Sequence, residues 1–167
     1  MPTVSLSYRF RQPFHVPADV AFRWCTDYQP ADGKLFSERH RRAVRWLNED
    51  TAILTDTTYP AGRPQPIRRL IRIRHSERAW TNTHLDGPFR HSQFWYCVVA
   101  DGARRSHLEF VGLHLESSAR RLSKAEVARR AEELRKSDSD EWRRYLAPAL
   151  EREVSGPSRG KGGRSTA

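Results

Sequence analysis

Three short turns between runs of alternating apolar and polar residues constrain the fold of this chain most strongly. Ser76-Glu77, Asp86-Gly87 and Asp101-Gly102 separate four strand-like segments between Ile67 and Leu115. Asp-Gly between two alternating runs is a strong hairpin signal. The sequence therefore predicts an antiparallel meander whose strands are joined by two-residue turns.

Two-residue turns would also decide which residues share a face, because side chains alternate along a strand. Pairing about the first turn places Ile71 beside Asn82, and pairing about the second places Asn82 beside His91. Pairing about the third places Gln93 beside Phe110. The resulting inner face consists of Ile71, Ile73, Trp80, Asn82, His84, His91, Gln93, Trp95, Leu108 and Phe110. Buried polar groups need partners, so this mixture indicates a ligand cavity rather than a pure packing face.

Size and composition indicate one domain over residues 1–154, followed by a basic tail. Residues 155–167 are rich in glycine, serine and arginine without apolar content, and we expect them to be disordered. No apolar run reaches the ~20 residues of a membrane span, and the N-terminus does not look like a signal peptide. We therefore expect a soluble, cytoplasmic protein. Neither the two cysteines nor the seven histidines have metal-site spacing, so no metal or cofactor is predicted.

The net charge of +10 raises the alternative of a nucleic-acid-binding protein. The tail carries three basic residues and no acid, whereas the eight basic and eight acidic residues of 123–154 cancel. The remaining excess lies mainly in the arginines of segments 39–45 and 68–78. These segments offer no aromatic stacking platform apart from nearby Phe94 and Tyr96, so a solvated basic surface is the simpler interpretation.

The rest of the chain predicts a strand, one or two short helices, two further strands and a long helix. Residues 4–10 alternate as in a half-buried strand, and residues 18–25 have helical spacing. Residues 33–40 could form a second helix, or 27–33 an extended loop, before strands at 42–48 and 51–58 and a proline-rich loop at 59–66. Ser123 and Glu126 form a capping box. We expect a break at 137–140 and a kink at Pro148.

This order of elements resembles the START-like, Bet v 1-like superfamily, over residues 3–153. The segment from Phe14 to Phe22, followed by Asp27, is similar to the family's opening strand and first helix. The segment from Asp138 through Trp142 to Leu150 is similar to the start of its final helix. The resemblance implies an α+β helix-grip fold, in which a curved seven-stranded antiparallel sheet wraps around a long C-terminal helix. It also implies an apolar ligand between sheet and helix. No invariant catalytic motif can be carried over, and residues 123–137 add about four turns of charged helix.

The predicted site therefore binds a hydrophobic or amphipathic small molecule, such as a lipid or a polyketide-like compound, for transport, sensing or storage. The candidate ligand-binding residues are Trp80, Asn82, His91, Gln93, Trp95, Phe110 and Tyr145. Asn82, His91 and Gln93 would bind the polar end of the ligand and the aromatic residues its apolar body. An alternative is a polyketide cyclase or dehydratase-like enzyme with His91 as general acid or base. No carboxylate on the predicted face orients His91.

One strand carries apolar residues on both of its faces. The run Phe94–Val99 lacks the alternation expected of a sheet covered on one side only. A homodimer contact through the outer face of the sheet would account for this, as would coverage by the side chains of neighbouring arginines.

Overall fold

A computed structural model describes residues 1–156 of the chain. The strands are β1 (Thr3–Phe14), β2 (Arg41–Asn48), β3 (Thr51–Thr58), β4 (Gln65–Arg74), β5 (Ala79–His84), β6 (Gln93–Ala100) and β7 (Ser106–Ser117). The helices are α1 (Ala18–Thr26), α2 (Lys124–Glu141) and α3 (Ala147–Ser155). Short 3₁₀ turns cover Pro30–Leu35, Pro60–Gly62 and His75–Glu77, and a π-helical turn, Trp142–Leu146, joins α2 to α3.

The seven strands form one antiparallel sheet in the order β1-β7-β6-β5-β4-β3-β2. Strands β2 to β7 are a continuous meander, and β1 pairs with β7 over its whole length. The C-terminal helix packs across the inner face beside β1. The predicted α+β helix-grip architecture is confirmed. No helix of residues 1–156 is long and apolar enough to cross a membrane, and residues 157–167, most of the predicted tail, lie outside the described residues.

The alternation of β1 and the helical spacing of α1 place their apolar residues as the sequence predicts. Val4, Leu6, Tyr8 and Phe10 are all buried on the inner face. In α1 the buried residues are Ala18, Ala21, Phe22, Cys25 and Thr26. The second helix predicted for residues 33–40 is absent, and the 3₁₀ turn Pro30–Leu35 occupies part of that region.

The predicted register holds at the first turn and is wrong at the other two. Ile71 pairs with Asn82, as the Ser76-Glu77 turn requires. Asn82, however, pairs with Phe94 instead of His91, and Phe110 pairs with Tyr96 instead of Gln93. In each of these two hairpins the pairing is shifted by three residues from the predicted register. An odd shift reverses the facing of a strand, so β6 is turned over, and the second shift returns β7 to its predicted orientation.

The chemistry of each loop explains its shift. Pro88 follows Gly87 and has no N–H to close a two-residue turn. The carboxylate of Asp86 instead accepts hydrogen bonds from the backbone N–H and side chain of Arg68, at 2.7 and 2.6 Å. In the third hairpin the backbone N–H of Asp101 donates to the carbonyl of Arg105, which closes a five-residue loop. Both loops are therefore longer than two residues.

The C-terminal helix begins at its predicted cap and becomes irregular later than expected. The Ser123 hydroxyl accepts a hydrogen bond from the Glu126 backbone N–H, and the Glu126 carboxylate accepts one from the Ser123 backbone N–H. No break occurs at 137–140, because Asp138 accepts a hydrogen bond from the Tyr8 hydroxyl at 2.6 Å and ties the helix to β1. The helix widens at Trp142–Leu146, where Pro148 cannot donate to the preceding turn.

We expect Leu150→Ala to lower the free energy of unfolding by about 2–5 kcal/mol, because Leu150 is fully buried under the sheet. Val154→Ala is the matched control, since Val154 lies in the same helix and is 43% exposed. It should change stability by less than about 0.5 kcal/mol. Urea unfolding of the two variants tests the docking of α3, and equal effects would contradict it.

Candidate functional site

A cavity lies between the inner face of the sheet, α1, the Pro30–Leu35 turn and the end of the C-terminal helix. Its volume is about 260 Å³, near the lower end of the range of small-molecule sites, roughly 300 to 1,000 Å³. Its apolar and aromatic lining consists of Trp24, Cys25, Tyr28, Leu35, Phe36, Leu54, Trp80, Tyr96, Trp142 and Leu146. Its polar lining consists of Asp32, His40, Arg42, Arg69, Asn82 and Glu141.

Aromatic rings form one wall of the cavity. Trp80 and Tyr96 are stacked with ring centroids 4.8 Å apart and planes at 3°. Phe110 supports this pair from behind, at 5.1 Å from Tyr96. Trp142 of the π-helical turn lies 6.3 Å from Tyr96. The cavity therefore offers flat, apolar surfaces suited to a planar ligand.

Four charged or titratable side chains, Asp56, His40, Arg42 and Arg69, form what we call the Asp56 cluster. Arg42 donates to both carboxylate oxygens of Asp56, from Nε at 2.8 Å and Nη2 at 3.1 Å. His40 Nε2 lies 2.9 Å from Oδ1, and Arg69 forms a further ion pair with Oδ2. The Asp56 side chain is only 5% exposed. One buried carboxylate thus neutralises one of two guanidinium groups.

The Asp56 cluster by itself holds one more guanidinium group than carboxylate, and Asp32 and Glu141 line the same cavity. Burial, followed by the Arg42 and Arg69 charges, lowers the pKa of His40. Burial also lowers the pKa of Arg42 and of Arg69, whose charged forms are costly there. The Arg42 guanidinium lies 5.9 Å from the Tyr28 ring centroid and 5.5 Å from that of Phe36. Such contacts stabilise a partly desolvated cation.

Asn82 and Glu141 also line the cavity. The Asn82 side-chain oxygen is buried and has no hydrogen-bond partner among residues 1–156. Burial and the nearby Asp138 raise the pKa of Glu141, while the Arg69 and Arg42 charges act in the opposite direction. The cavity lining therefore combines the side-chain amide of Asn82, a carboxyl group whose pKa is raised, and guanidinium donors.

The surface next to the cavity lies between α1, the Pro30–Leu35 turn and α3. A depression there shares Trp24, Asp32 and Leu35 with the cavity and is bordered by Arg152 and Glu153. The Trp24 indole N–H donates to Glu153 at 2.8 Å, which links α1 to α3 beside the depression.

The structure brings together only some of the predicted site residues. Trp80 and Asn82 line the cavity, and Phe110 is buried behind the aromatic wall. The reversed facing of β6 turns the Gln93 and Trp95 side chains to the outer face, and His91 is exposed in the loop before β6. We therefore leave these three residues out of the proposed site.

Tyr145 also lies outside the cavity and is 54% exposed. In the π-helical turn the Ala147 N–H bonds to the Trp142 carbonyl, five residues earlier. The wider turn places Leu146, rather than Tyr145, in the cavity beside Trp142.

Two residues that line the cavity were not among the predicted site residues, although the alternation of their strands indicates that they face inward. Arg69 stands in phase with Ile71 and Ile73 on β4, and Arg42 stands in phase with Val44 and Trp46 on β2. Strand alternation alone places both arginines inward. Nothing comparable identifies Tyr28, which reaches the cavity from the irregular segment after α1.

We expect Asp56→Asn to lower the free energy of unfolding by about 3–5 kcal/mol, because it removes the carboxylate that pairs with two buried guanidinium groups. Asp50→Asn is the control, since the Asp50 side chain is 53% exposed and forms an ion pair with the exposed His75. That change should have an effect within about 0.5 kcal/mol. Urea unfolding at neutral pH compares them, and similar losses would show that the Asp56 cluster is not a buried ion network.

Comparisons with known proteins show the fold alone. No protein-family model and no curated protein sequence matches the chain. Among solved structures, the Zhui aromatase/cyclase of Streptomyces sp. R1128 aligns with a TM-score of 0.71 and 14% identity, over 96% of this chain and 100% of the other. A norcoclaurine synthase of Thalictrum flavum, in complex with dopamine and hydroxybenzaldehyde, aligns with a TM-score of 0.65 and 14% identity, covering 93% and 91%.

A third similar structure is a protein of unknown function from Staphylococcus aureus. Its TM-score is 0.69 at 10% identity, over 92% of this chain and 98% of the other. All three alignments cover nearly the whole of both chains, so the likeness extends to the arrangement of sheet and C-terminal helix. The chain therefore has the START-like, Bet v 1-like helix-grip fold.

Proposed function

We propose that the chain binds a small amphipathic molecule with an aromatic or similarly flat body in this cavity. The observation that carries the proposal is that Asn82 lines the cavity while its buried side-chain oxygen finds no donor in the described part of the chain. An unpaired buried acceptor costs about 1–3 kcal/mol. A ligand hydroxyl or amine that donates to this oxygen would recover that free energy.

The charge at the polar end supports a second feature of the ligand. Arg42 and Arg69 line the cavity and share a single buried carboxylate. A carbonyl, phenolate or carboxylate oxygen on the ligand would accept from these guanidinium groups. The flat body would then pack against the stacked Trp80 and Tyr96 rings and against Trp142.

The structural relatives are consistent with such a ligand. The norcoclaurine synthase holds dopamine and hydroxybenzaldehyde, both of which combine an aromatic ring with polar oxygens. Zhui is an aromatase/cyclase. Transport, sensing and storage remain the predicted roles of a binding protein with this cavity.

We expect Asn82→Leu to weaken the binding of hydroxynaphthoate by roughly tenfold, because one charge-neutral hydrogen bond is lost. The affinity for naphthalene, which offers no donor, should stay the same or rise. The fold should be no less stable, because the variant removes an unpaired buried oxygen. Quenching of tryptophan fluorescence reports binding, since Trp24, Trp80 and Trp142 line the cavity.

The matched controls are His91→Leu and Gln93→Leu, at exposed positions outside the cavity. Both should bind hydroxynaphthoate like the wild type. Equal affinities of Asn82→Leu and wild type for hydroxynaphthoate would contradict the proposed role of Asn82. Native mass spectrometry after incubation with a total lipid extract would then identify which compounds, if any, the chain retains.

Acid–base catalysis is a second candidate, supported by the raised pKa of Glu141 in the same cavity as Arg69. A protonated Glu141 could donate to a ligand carbonyl oxygen, and a guanidinium could stabilise the negative charge that develops there. This version of the cyclase or dehydratase hypothesis uses Glu141 where the sequence suggested His91.

We expect Glu141→Gln to be increasingly more stable than the wild type as the pH rises. Burial raises the pKa of Glu141 above its ordinary value of 4.5, so the folded state favours the neutral carboxyl. The stability from that preference is complete below the ordinary pKa and is lost as the pH rises through the raised one. The neutral glutamine has no such loss. Urea midpoints measured from mildly acidic to neutral pH test this, with exposed Glu133→Gln as control, and a pH-independent difference would refute it.

A further inference from the structure

The outer face of the sheet carries an apolar strip that the cavity does not use. Trp95, Val111 and Leu113 are 38%, 40% and 39% exposed. Register places Trp95 directly between Val111 on β7 and Thr81 on β5. Two residues further along these strands lies a second row of paired residues. It runs from Leu113 on β7 through the uncharged Gln93 and Thr83 to Leu70 on β4 and Ile53 on β3. We call Trp95, Val111, Leu113, Leu70 and Ile53 the outer strip.

Arginines stand at the ends of the outer strip without partners. Arg9 pairs in register with Val111, Arg72 with Thr81, and Arg45 with Ile53. All three side chains are exposed, and none makes an ion pair or a side-chain hydrogen bond within residues 1–156. Arg9 and Arg72 are four strands apart, which is about 19 Å at the usual strand spacing.

The acidic residues beside the outer strip are already neutralised. Glu109 pairs with Arg11 at 2.7 Å, and Asp86 pairs with Arg68 at 2.6 Å. Neither strip row contains an acidic residue. The surface therefore presents an apolar centre with an uncompensated positive rim.

We propose that the outer strip is the docking surface for an acidic protein partner, one that presents apolar side chains flanked by carboxylates. Tryptophan and arginine are the residues that contribute most often to protein–protein binding energy. The rim arginines would meet carboxylates, and Trp95 with Val111 and Leu113 would form the apolar centre. This surface lies on the opposite side of the sheet from the cavity, so the proposal does not depend on the proposed ligand.

Charge and shape favour this partner over the other occupants. In the homodimer predicted from the sequence, two copies of a face with an unneutralised positive rim would meet, in a chain of net charge +10. Trp95 is 38% exposed, so it lies largely against the sheet and does not project like an aromatic side chain that inserts into a bilayer or stacks between bases.

Selection from a library of random displayed peptides tests the proposal. The peptides are selected on the wild type and counter-selected on Trp95→Ser. The affinity of the enriched peptides is then measured by fluorescence anisotropy at several salt concentrations. The double charge reversal Arg9→Glu with Arg72→Glu tests the rim separately from the apolar centre. The controls are Tyr145→Ser and Arg63→Glu, at an exposed aromatic and an exposed arginine outside the strip.

We expect the enriched peptides to be acidic with apolar residues, and to bind more weakly as salt increases. Trp95→Ser and the double reversal should each reduce affinity by roughly tenfold, whereas both controls should bind like the wild type. Failure to enrich peptides whose binding depends on the strip, or enrichment of neutral or basic ones, would overturn the proposal.

Three further outcomes would assign the strip to a different occupant and equally overturn the proposal. The first is a dimer in sedimentation velocity that Trp95→Ser dissociates. The second is binding to phosphatidylglycerol vesicles that the double reversal abolishes. The third is binding to single-stranded DNA that the double reversal abolishes.

Discussion

The buried carboxylate of Asp56 is the interaction on which the polar end of the cavity depends. It faces inward from β3 and meets Arg42 from β2 and Arg69 from β4. Without that negative charge, two guanidinium groups would lie in a low-dielectric interior, which is strongly unfavourable. Because the same arginines line the cavity, one ion network both joins three neighbouring strands and supplies the donors for a ligand.

The opposite wall depends on the way in which the C-terminal helix meets the sheet. Tyr8 bonds Asp138 and brings α2 against β1, so that Glu141 comes to the cavity one turn later. The π-helical turn then presents Trp142 and Leu146 together. Wide turns of this kind are frequent at functional sites, because they re-aim side chains without ending the helix. The irregularity therefore shapes the cavity.

Much of the fold could be predicted from local patterns. The strands, the first helix, the capping box at Ser123 and the register of the first hairpin follow from alternation and helical spacing. About the candidate site the same reasoning was less successful. Trp80 and Asn82 line the cavity, whereas Gln93 and Trp95 lie on the outer face of the sheet and His91 lies in an exposed loop. A three-residue error in loop pairing is small along the chain, yet it turns over a whole strand.

The sequence by itself determined which segments alternate, where the long helix begins, and that polar groups share the inner face with aromatic ones. These properties are local, because they depend on neighbours two to four residues apart. Only the tertiary structure decided which polar groups meet. The Asp56 cluster joins side chains from three strands and from His40 before β2, and Tyr28, Glu141 and Trp142 reach the same cavity from segments more than a hundred residues apart along the chain. Such contacts depend on loop length, helix winding and the compensation of buried charge, which no single segment contains.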